Sequence, residues 1–290
     1  LKPDVTLSIV KNSADRPDAL QKLYYHENVY RPSKGSHSFK EIMQVGLEIL
    51  GRIDSYSIAD VLTLAAESLS VISADAVLDV SHLGLLTELM ESVGIPQERQ
   101  GRLVKFISEK NAHELTALCR SCGVSDAHTE LLRTLLATSG SPAQVLPKLE
   151  SLLTGLVSPE TLAQFYSVIE ALSDLPMLRI DFSVVDDVHY YNGVVFKGFV
   201  SGIPASVLSG GQYDRLMKKM GRSSGAIGFA LYTDALERLW EDPNPYDVQT
   251  VLLYPEDTSL SVIQCKMAEL TAQGQQVLAL NSLPEDLRYQ

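Results

Sequence analysis

Between Pro96 and Leu172 the chain carries one helical signal after another, and strand signals stand on both sides of that block. A sheet that draws strands from both sides of a helical block must close around an insertion. The pattern therefore predicts an α+β architecture, with a largely antiparallel sheet flanked by helices and an all-helical insertion at 96–172. Ser158-Pro159-Glu160 reads as a helix start, with Pro in the first turn and an acid near the positive end of the helix dipole. Ser141-Pro142 repeats the device, and Leu146, Leu149, Leu152, Leu153 and Leu156 supply an apolar stripe.

Before the insertion, QKLYYHENVY at 21–30 and FKEIMQVGLEILG at 39–51 are rich in β-favouring residues. RPSKGSHS at 31–38 lies between them as a polar Pro/Gly/Ser loop, so the segment predicts an antiparallel hairpin with an extended tip. Ile58, Val61, Leu62, Ala65 and Leu69 mark one helical face, 76–80 a short buried strand, and 83–93 a helix. After the insertion, strands are predicted at 177–185, 190–200 and 225–231, with a helix near 233–240. Pro243 and Pro245 mark a linker. A strand, a helix at 259–272 and a second strand then begin a small α/β unit that 246–290 does not finish.

The formal net charge is -12. Binding to a polyanion is driven by phosphate neutralisation on a basic face, so the acidic balance argues against tRNA as the main ligand. No stretch reads as both long and uncharged enough to span a bilayer, and three cysteines (Cys119, Cys122, Cys265) suit a reducing cytoplasm. Cys119 and Cys122 have metal-like spacing, with His113 and His128 nearby. The segment reads as a helix rather than a four-ligand site, so neither a metal nor a cofactor is expected. His37 and His189 read as ordinary surface histidines. Leu1-Lys2-Pro3-Asp4 is neither a leader nor a natural start, which suggests a sequence that begins inside a longer protein.

Five segments in order carry a resemblance to the catalytic core of histidyl-tRNA synthetases. LKPDVT at 1–6 is similar to the family's L-R-P-E-G-T. VYR at 29–31 with QVGLE at 44–48 resembles class II motif 2 and the family's Q-x-x-x-E. HYYNGVVF at 189–196 is similar to D-Y-Y-x-x-x-x-F, SGGQYDRL at 209–216 to G-G-R-Y-D-G-L, and AIGFAL at 226–231 to the start of motif 3. The resemblance implies a class II synthetase-like core split into 1–95 and 173–242, the insertion at 96–172, and part of a C-terminal domain at 246–290. It also implies a homodimer, although the segment that precedes LKPDVT in the family, with motif 1, is not in this sequence.

The resemblance further implies a histidine pocket. Glu48 matches the acid that accepts from an imidazole nitrogen, and Tyr191 a phenol facing the other nitrogen. Asp4, Thr6 and Gln44 match acceptors around the ammonium, and Arg31 the motif 2 arginine on the ATP α-phosphate. Standing alone, Gln44 and Glu48 would read as a solvated strand face. Tyr190 and Tyr191 on a strand would point to opposite sides, so at most one would face a ligand. Gly210-Gly211 alone would read as a bend in a strand.

The departures bear on function. The family's R-G-L-D-Y-Y aligns with 186–191, which puts Asp186 in the place of the catalytic arginine. Losing such a cation costs about 3 kcal/mol of transition-state stabilisation, and an acid there adds repulsion toward phosphate and carboxylate alike. The arginine of G-G-R-Y-D is Gln212, leaving Arg31 and Gln212 as a vestigial nucleotide site. The motif 3 arginine falls on Ala235, and Arg238 replaces it only if the alignment slips by nearly a helical turn. Kept histidine-site residues with erased adenylation residues resemble the regulatory-subunit family of ATP phosphoribosyltransferase. This implies a cytoplasmic, non-catalytic subunit that assembles with a short-form catalytic subunit in histidine biosynthesis, with L-histidine as a candidate ligand. The alternatives are a working histidyl-tRNA synthetase and a dead synthetase paralogue with another role, such as sensing uncharged tRNA.

Overall fold

The hairpin forms as β1 (Gln21–Pro32) and β2 (Phe39–Gly51), antiparallel from Gln21↔Leu50 to Pro32↔Phe39. The structure is a computed structural model that describes residues 4–32, 39–185, 190–239 and 246–289, without the side chains of residues 31, 32, 237 and 238. Two compact units divide the chain, Leu1–Leu239 and Trp240–Gln290.

In the first unit, β2 is followed by α2 (Ser55–Ile72), β3 (Val77–His82) and α3 (Leu83–Ser92). The short N-terminal helix α1 (Val5–Asn12) precedes the hairpin. The insertion contributes α4 (Gln97–Ser108), α5 (Ala112–Ser121), α6 (Asp126–Ala137), the two-residue β4 (Ser139–Gly140), α7 (Pro142–Leu153) and α8 (Pro159–Ala171). The chain then returns to the sheet through β5 (Leu178–Asp181), β6 (Val194–Phe199), β7 (Leu208–Gln212), α9 (Asp214–Lys219) and β8 (Gly225–Tyr232).

The strands form one eight-stranded sheet in the order β1-β2-β8-β7-β6-β3-β5-β4. Every pairing is antiparallel except β3 with β5. Strand parity assigns its two faces. Ile49 and Ile227 point into the main core, where Leu69 of α2 packs over Gly198. Leu50 and Ala226 point to the other side and pack with Val10, Tyr213 and Met217. Residues 44, 46 and 48 of β2 and 228, 230 and 232 of β8 share that second side, which carries the cavity described below. The insertion is continuous with the main core: Leu103, Leu115, Leu132, Leu149 and Phe165 are at most 1% exposed and belong to one apolar cluster with α2.

The helix starts in the insertion behave as their residues dictate. Ser158 caps α8, and Ser141 with Gln144 closes a reciprocal capping box on α7. Elsewhere the structure corrects the sequence reading. The sequence reading assigned no element to α1, whose Val5, Thr6, Ile9 and Val10 are β-branched and disfavour a helix. Burial of Val5 and Val10, together with the Asp4 cap on Leu7 N (3.2 Å), overrides that propensity. The strand expected at 177–185 stops at Asp181, whose Oδ1 accepts from Ser183 N and turns the chain. The strand expected at 190–200 begins only at Val194, and the helix near 233–240 is a 3-10 turn, Thr233–Leu239. SGGQYDRL divides between β7 and α9. Against the sequence expectation, α2 is by length and composition apolar enough to cross a membrane. Its stripe Ile58, Val61, Leu62, Ala65 and Leu69 is at most 1% exposed in the core, which accounts for that composition.

The second unit pairs β9 (Thr250–Leu253) with β10 (Val277–Leu280) in parallel, joined by α10 (Leu260–Ala272). This is the βαβ arrangement that the end of the sequence predicts.

Candidate functional site

Glu48 stands on β2 directly opposite Gly228 of β8, and it is 2% exposed. A carboxylate so placed needs donors, and two hydroxyls supply them. Thr6 Oγ1 donates to Glu48 Oε1 at 2.6 Å, and the Tyr213 hydroxyl donates to Oε2, also at 2.6 Å. Gly228 is required by close approach: a Cβ there would overlap the Glu48 carboxylate and the Leu47 carbonyl oxygen. Burial still dominates, and with the charge of Asp4 it pushes the Glu48 carboxyl up to about 7 against the pull of its two donors. The acid therefore titrates in the same range as an imidazole. Burial and the neighbouring carboxylate raise Tyr25, Tyr190 and Tyr213, so all three stay protonated at neutral pH.

Tyr213 is fixed by its neighbours. Its amide donates to Ala226 O at 2.9 Å. Asp214 Oδ1 accepts from Ala226 N at 2.9 Å, and Asp214 Oδ2 accepts from Gln212 Nε2 at 2.7 Å. The turn between β7 and α9 is thus pinned to β8, which aims the phenol at Glu48. Tyr190 packs edge-on against Tyr191 at 4.6 Å and tilted against Tyr213 at 5.7 Å.

These side chains border a cavity of about 460 Å³. Asp4, Thr6, Gln44, Glu48 and Tyr191 all line it, so the five residues assigned to a histidine site converge in space. Besides donating to Glu48, the Thr6 hydroxyl makes a side-chain hydrogen bond with Tyr190. Gln44 is 3% exposed, and its Nε2 finds no partner among the described residues. Its expected role is that of an acceptor, yet the orphaned atom is a donor. Either orientation of the amide leaves polar capacity facing the cavity.

The reading that at most one of the paired tyrosines faces a ligand is corrected. Both Tyr190 and Tyr191 line the cavity, because they sit before β6 begins and are not bound to strand alternation. Tyr25, Lys197, Ser206, Ser209, Tyr213 and Tyr232 also line the cavity and were not anticipated as site residues. Ser209 and Tyr232 share a hydrogen bond of 2.7 Å. Ser209 and Tyr213 both lie in the segment SGGQYDRL at 209–216, which carries the resemblance.

At the positions where the resemblance expects cations, Gln212 spends its amide on Asp214 and lies outside the cavity lining. Ala235 sits half-buried on the 3-10 turn against the main core. Asp186 and His189 lie outside the described residues, as does His37, and the side chains of Arg31 and Arg238 do too. Cys119 is buried at the end of α5, and no cluster of metal-ligating groups occurs among the described residues.

Comparison with known proteins bears on both the fold and the cavity. A family model described as histidyl-tRNA synthetase matches residues 1–236. An ATP phosphoribosyltransferase regulatory subunit from Desulfitobacterium hafniense (strain Y51) is 29% identical over 296 residues, covering 99% of this chain and 75% of that protein. The crystal structure of an ATP phosphoribosyltransferase regulatory subunit/histidyl-tRNA synthetase from Bacillus halodurans C superposes with a TM-score of 0.78 at 25% identity, over 99% of this chain and 76% of that one. The histidyl-tRNA synthetase of Nostoc sp. PCC 7120 gives the same TM-score, 0.78, at 20% identity, over 99% of this chain and 71% of that one. The chain spans 59% to 75% of the length of eight of the curated relatives it matches. Backbone likeness therefore does not separate a synthetase from a regulatory subunit, and the cavity residues must do so.

Proposed function

The chain belongs to the histidyl-tRNA synthetase family, and within it we propose that it acts as the non-catalytic regulatory subunit of a short-form ATP phosphoribosyltransferase, in the first step of L-histidine biosynthesis. The observation that carries this reading is the contrast inside one site. The five residues matched to histidine recognition line a single cavity, while the cationic positions of adenylation hold Asp186, Gln212 and Ala235. A synthetase without those cations lacks the stabilisation of developing phosphate charge that drives adenylation. The regulatory-subunit description of the relatives supports the same assignment.

In this reading Glu48 accepts from an imidazole N–H, with Tyr191 on the opposite ring nitrogen. Asp4 and Thr6 receive the ammonium. Occupancy by histidine then reports the level of the pathway product to the catalytic partner. The protein works in the cytoplasm as a homodimer unit within a hetero-oligomer, and tRNA is not its ligand.

Copurification with a short-form ATP phosphoribosyltransferase, and dependence of that enzyme's activity on this protein, is the deciding experiment. Histidine-dependent ATP–pyrophosphate exchange by the intact full-length protein should stay at background. Robust exchange would overturn the regulatory reading in favour of a synthetase.

A further inference from the structure

A second cavity, larger than the one on the sheet, lies in the helical insertion. It is a cleft of about 610 Å³ between the end of α7, the turn that follows it and the outer side of α8. Val157, Pro159, Leu162 and Tyr166 give it an apolar wall, and Glu150 and Glu170 also line it. The Tyr166 ring is held in place, because its hydroxyl donates to Leu146 O at 2.5 Å. Burial and the charges of Glu150 and Glu170 push that phenol up to about 12, so both carboxylates stand close to one ring. Glu109 and Glu130 pair with Lys105 and Arg133, and Glu88 on α3 accepts from Ser158 N and Thr161 Oγ1. Glu150 and Glu170, by contrast, have no ion pair among the described residues.

The same insertion carries the opposite charge on another face. Arg102 of α4 is exposed, with its guanidinium over the Phe106 ring at 5.4 Å. Arg99 donates to Ser121 Oγ at 3.2 Å, which ties the end of α5, with exposed Arg120, to α4. Neither Arg102 nor Arg120 has an ion pair among the described residues. Gly101 stands in the interior of α4, where glycine is unfavourable relative to alanine. A Cβ there would meet nothing within 4 Å, so no contact within the chain asks for it. A missing side chain on an exposed helix does let another backbone come close. Both faces flank one element, since α3 packs against α4 and against α8.

We propose that the cleft between α7 and α8 receives the α4–α5 face of a second copy of this chain, with Arg102 entering between Glu150 and Glu170 and lying over Tyr166. Copies of a chain with net charge -12 repel one another, so a contact between them needs opposite charges placed locally. Arginine suits the place, because a planar guanidinium stacks on a ring and bonds carboxylates at its edges. The contact is independent of what the sheet cavity binds and of the homodimer that the family resemblance implies.

Sedimentation of the full-length protein across the micromolar range tests this with two charge-reversed variants. One is Arg102→Glu with Arg120→Glu, and the other is Glu150→Arg with Glu170→Arg. All four side chains are exposed, so both variants should melt near wild type. Each should self-associate about tenfold or more weakly than wild type, the effect of like charges facing one another in an interface. An equal mixture of the two should associate again, because the reversed face of one meets the reversed cleft of the other. Glu150→Gln with Glu170→Gln covers the case in which the reversed cleft does not fold, and it should weaken association in the same direction. A wild type that stays monomeric overturns the proposal, and so does an unchanged association in both variants. Loss in both with no recovery on mixing would show that the two faces do not meet. The reversed cleft also lowers the net negative charge, so general repulsion alone would make that variant associate more strongly than wild type. That result would overturn the docking as well.

Discussion

Around Glu48 the cavity wall is satisfied within the protein, whereas at Gln44 it is not. Both Glu48 oxygens accept from hydroxyls at 2.6 Å, and Tyr213, one of the donors, is held by a turn pinned to β8. Some 4 residues along the same face of β2, the Gln44 amide nitrogen is buried without a partner. The first end is built before any ligand arrives. The second is finished only by what enters. On the proposed reading, this difference accounts for a site that keeps its partner for an imidazole while its adenylation residues are replaced. The Glu48 end is tied into the fold through β8 and α9, so changing it disturbs packing. The positions matched to phosphate-binding cations touch less: Ala235 packs on the outside of the core, and Gln212 has turned to Asp214.

The largest effect should come from breaking the finished end. Gly228→Ala places a methyl group where the Glu48 carboxylate and the Leu47 carbonyl oxygen now lie. Overpacking of this kind costs about 1–3 kcal/mol, and here it also displaces the acid from Thr6 and Tyr213. Histidine binding should be lost altogether, with a lower melting temperature. A variant that melts and binds like wild type would show that the contact between β2 and β8 is not what fixes Glu48.

Glu48→Gln should separate stability from function. The folded carboxyl titrates at about 7 against an ordinary 4.5, so the native state holds more protons than the unfolded chain between those values. Stability must therefore fall as pH rises through that window, by roughly 3 kcal/mol, and level off above it. Removing the acid removes the slope. At pH 8 the variant should be at least as stable as wild type, yet bind histidine more weakly by about 1–3 kcal/mol. In wild type, histidine affinity should drop about tenfold per unit below pH 6, because both the acid and the imidazole then carry protons. Denaturant melts from pH 5 to 8 and calorimetry over the same range check both statements. A flat stability profile in wild type would mean that the buried acid does not titrate there.

Tyr213→Phe removes one of the two donors to Glu48. Above pH 7 the carboxylate keeps only Thr6, and stability should fall by about 1–2 kcal/mol, the cost of a charge-assisted bond less the burial it offsets. Below pH 5 the acid is protonated in both proteins, and the difference should shrink toward the worth of a neutral hydrogen bond. A loss that does not vary with pH would place the role of the phenol in packing against Tyr190 rather than in charge.

How much of this was legible beforehand depended on how far each feature is local. The hairpin, the helical insertion and the caps at Ser141 and Ser158 follow from periodicity and from residues that act within one turn. The convergence of Asp4, Thr6, Gln44, Glu48 and Tyr191 was readable only through the order of five motifs, since nothing local joins residue 4 to residue 191. Tyr25 and Lys197 escaped notice because their place in the cavity lining is set by strand register across β1, β2, β8, β7 and β6. Register is a long-range quantity that flips with a one-residue slip. Tyr213 lay within a quoted motif, but its role arises from a turn that Asp214 closes onto Ala226, 12 positions away. The helix α1 was invisible because tertiary burial reverses a β-branched preference.

The smallest stability effect, and the sharpest test of the comparison, lies at the unfinished end. Gln44→Leu replaces a buried amide that lacks a partner for its nitrogen with an apolar group of similar size. Exchanging an unsatisfied polar group for an apolar one removes a desolvation cost, so stability should hold or rise by up to about 1 kcal/mol. That sign is opposite to the one expected for Tyr213→Phe, although both side chains line one cavity on one face of the sheet. Histidine affinity should nevertheless fall about tenfold, because the donor that faces the ligand is gone. Measured together by melting and calorimetry, the pair reads out which end the fold maintains and which end the ligand completes. A clear destabilisation by Gln44→Leu would mean that the amide is already satisfied without ligand. The contrast between the two ends would then be one of residue identity, not of readiness.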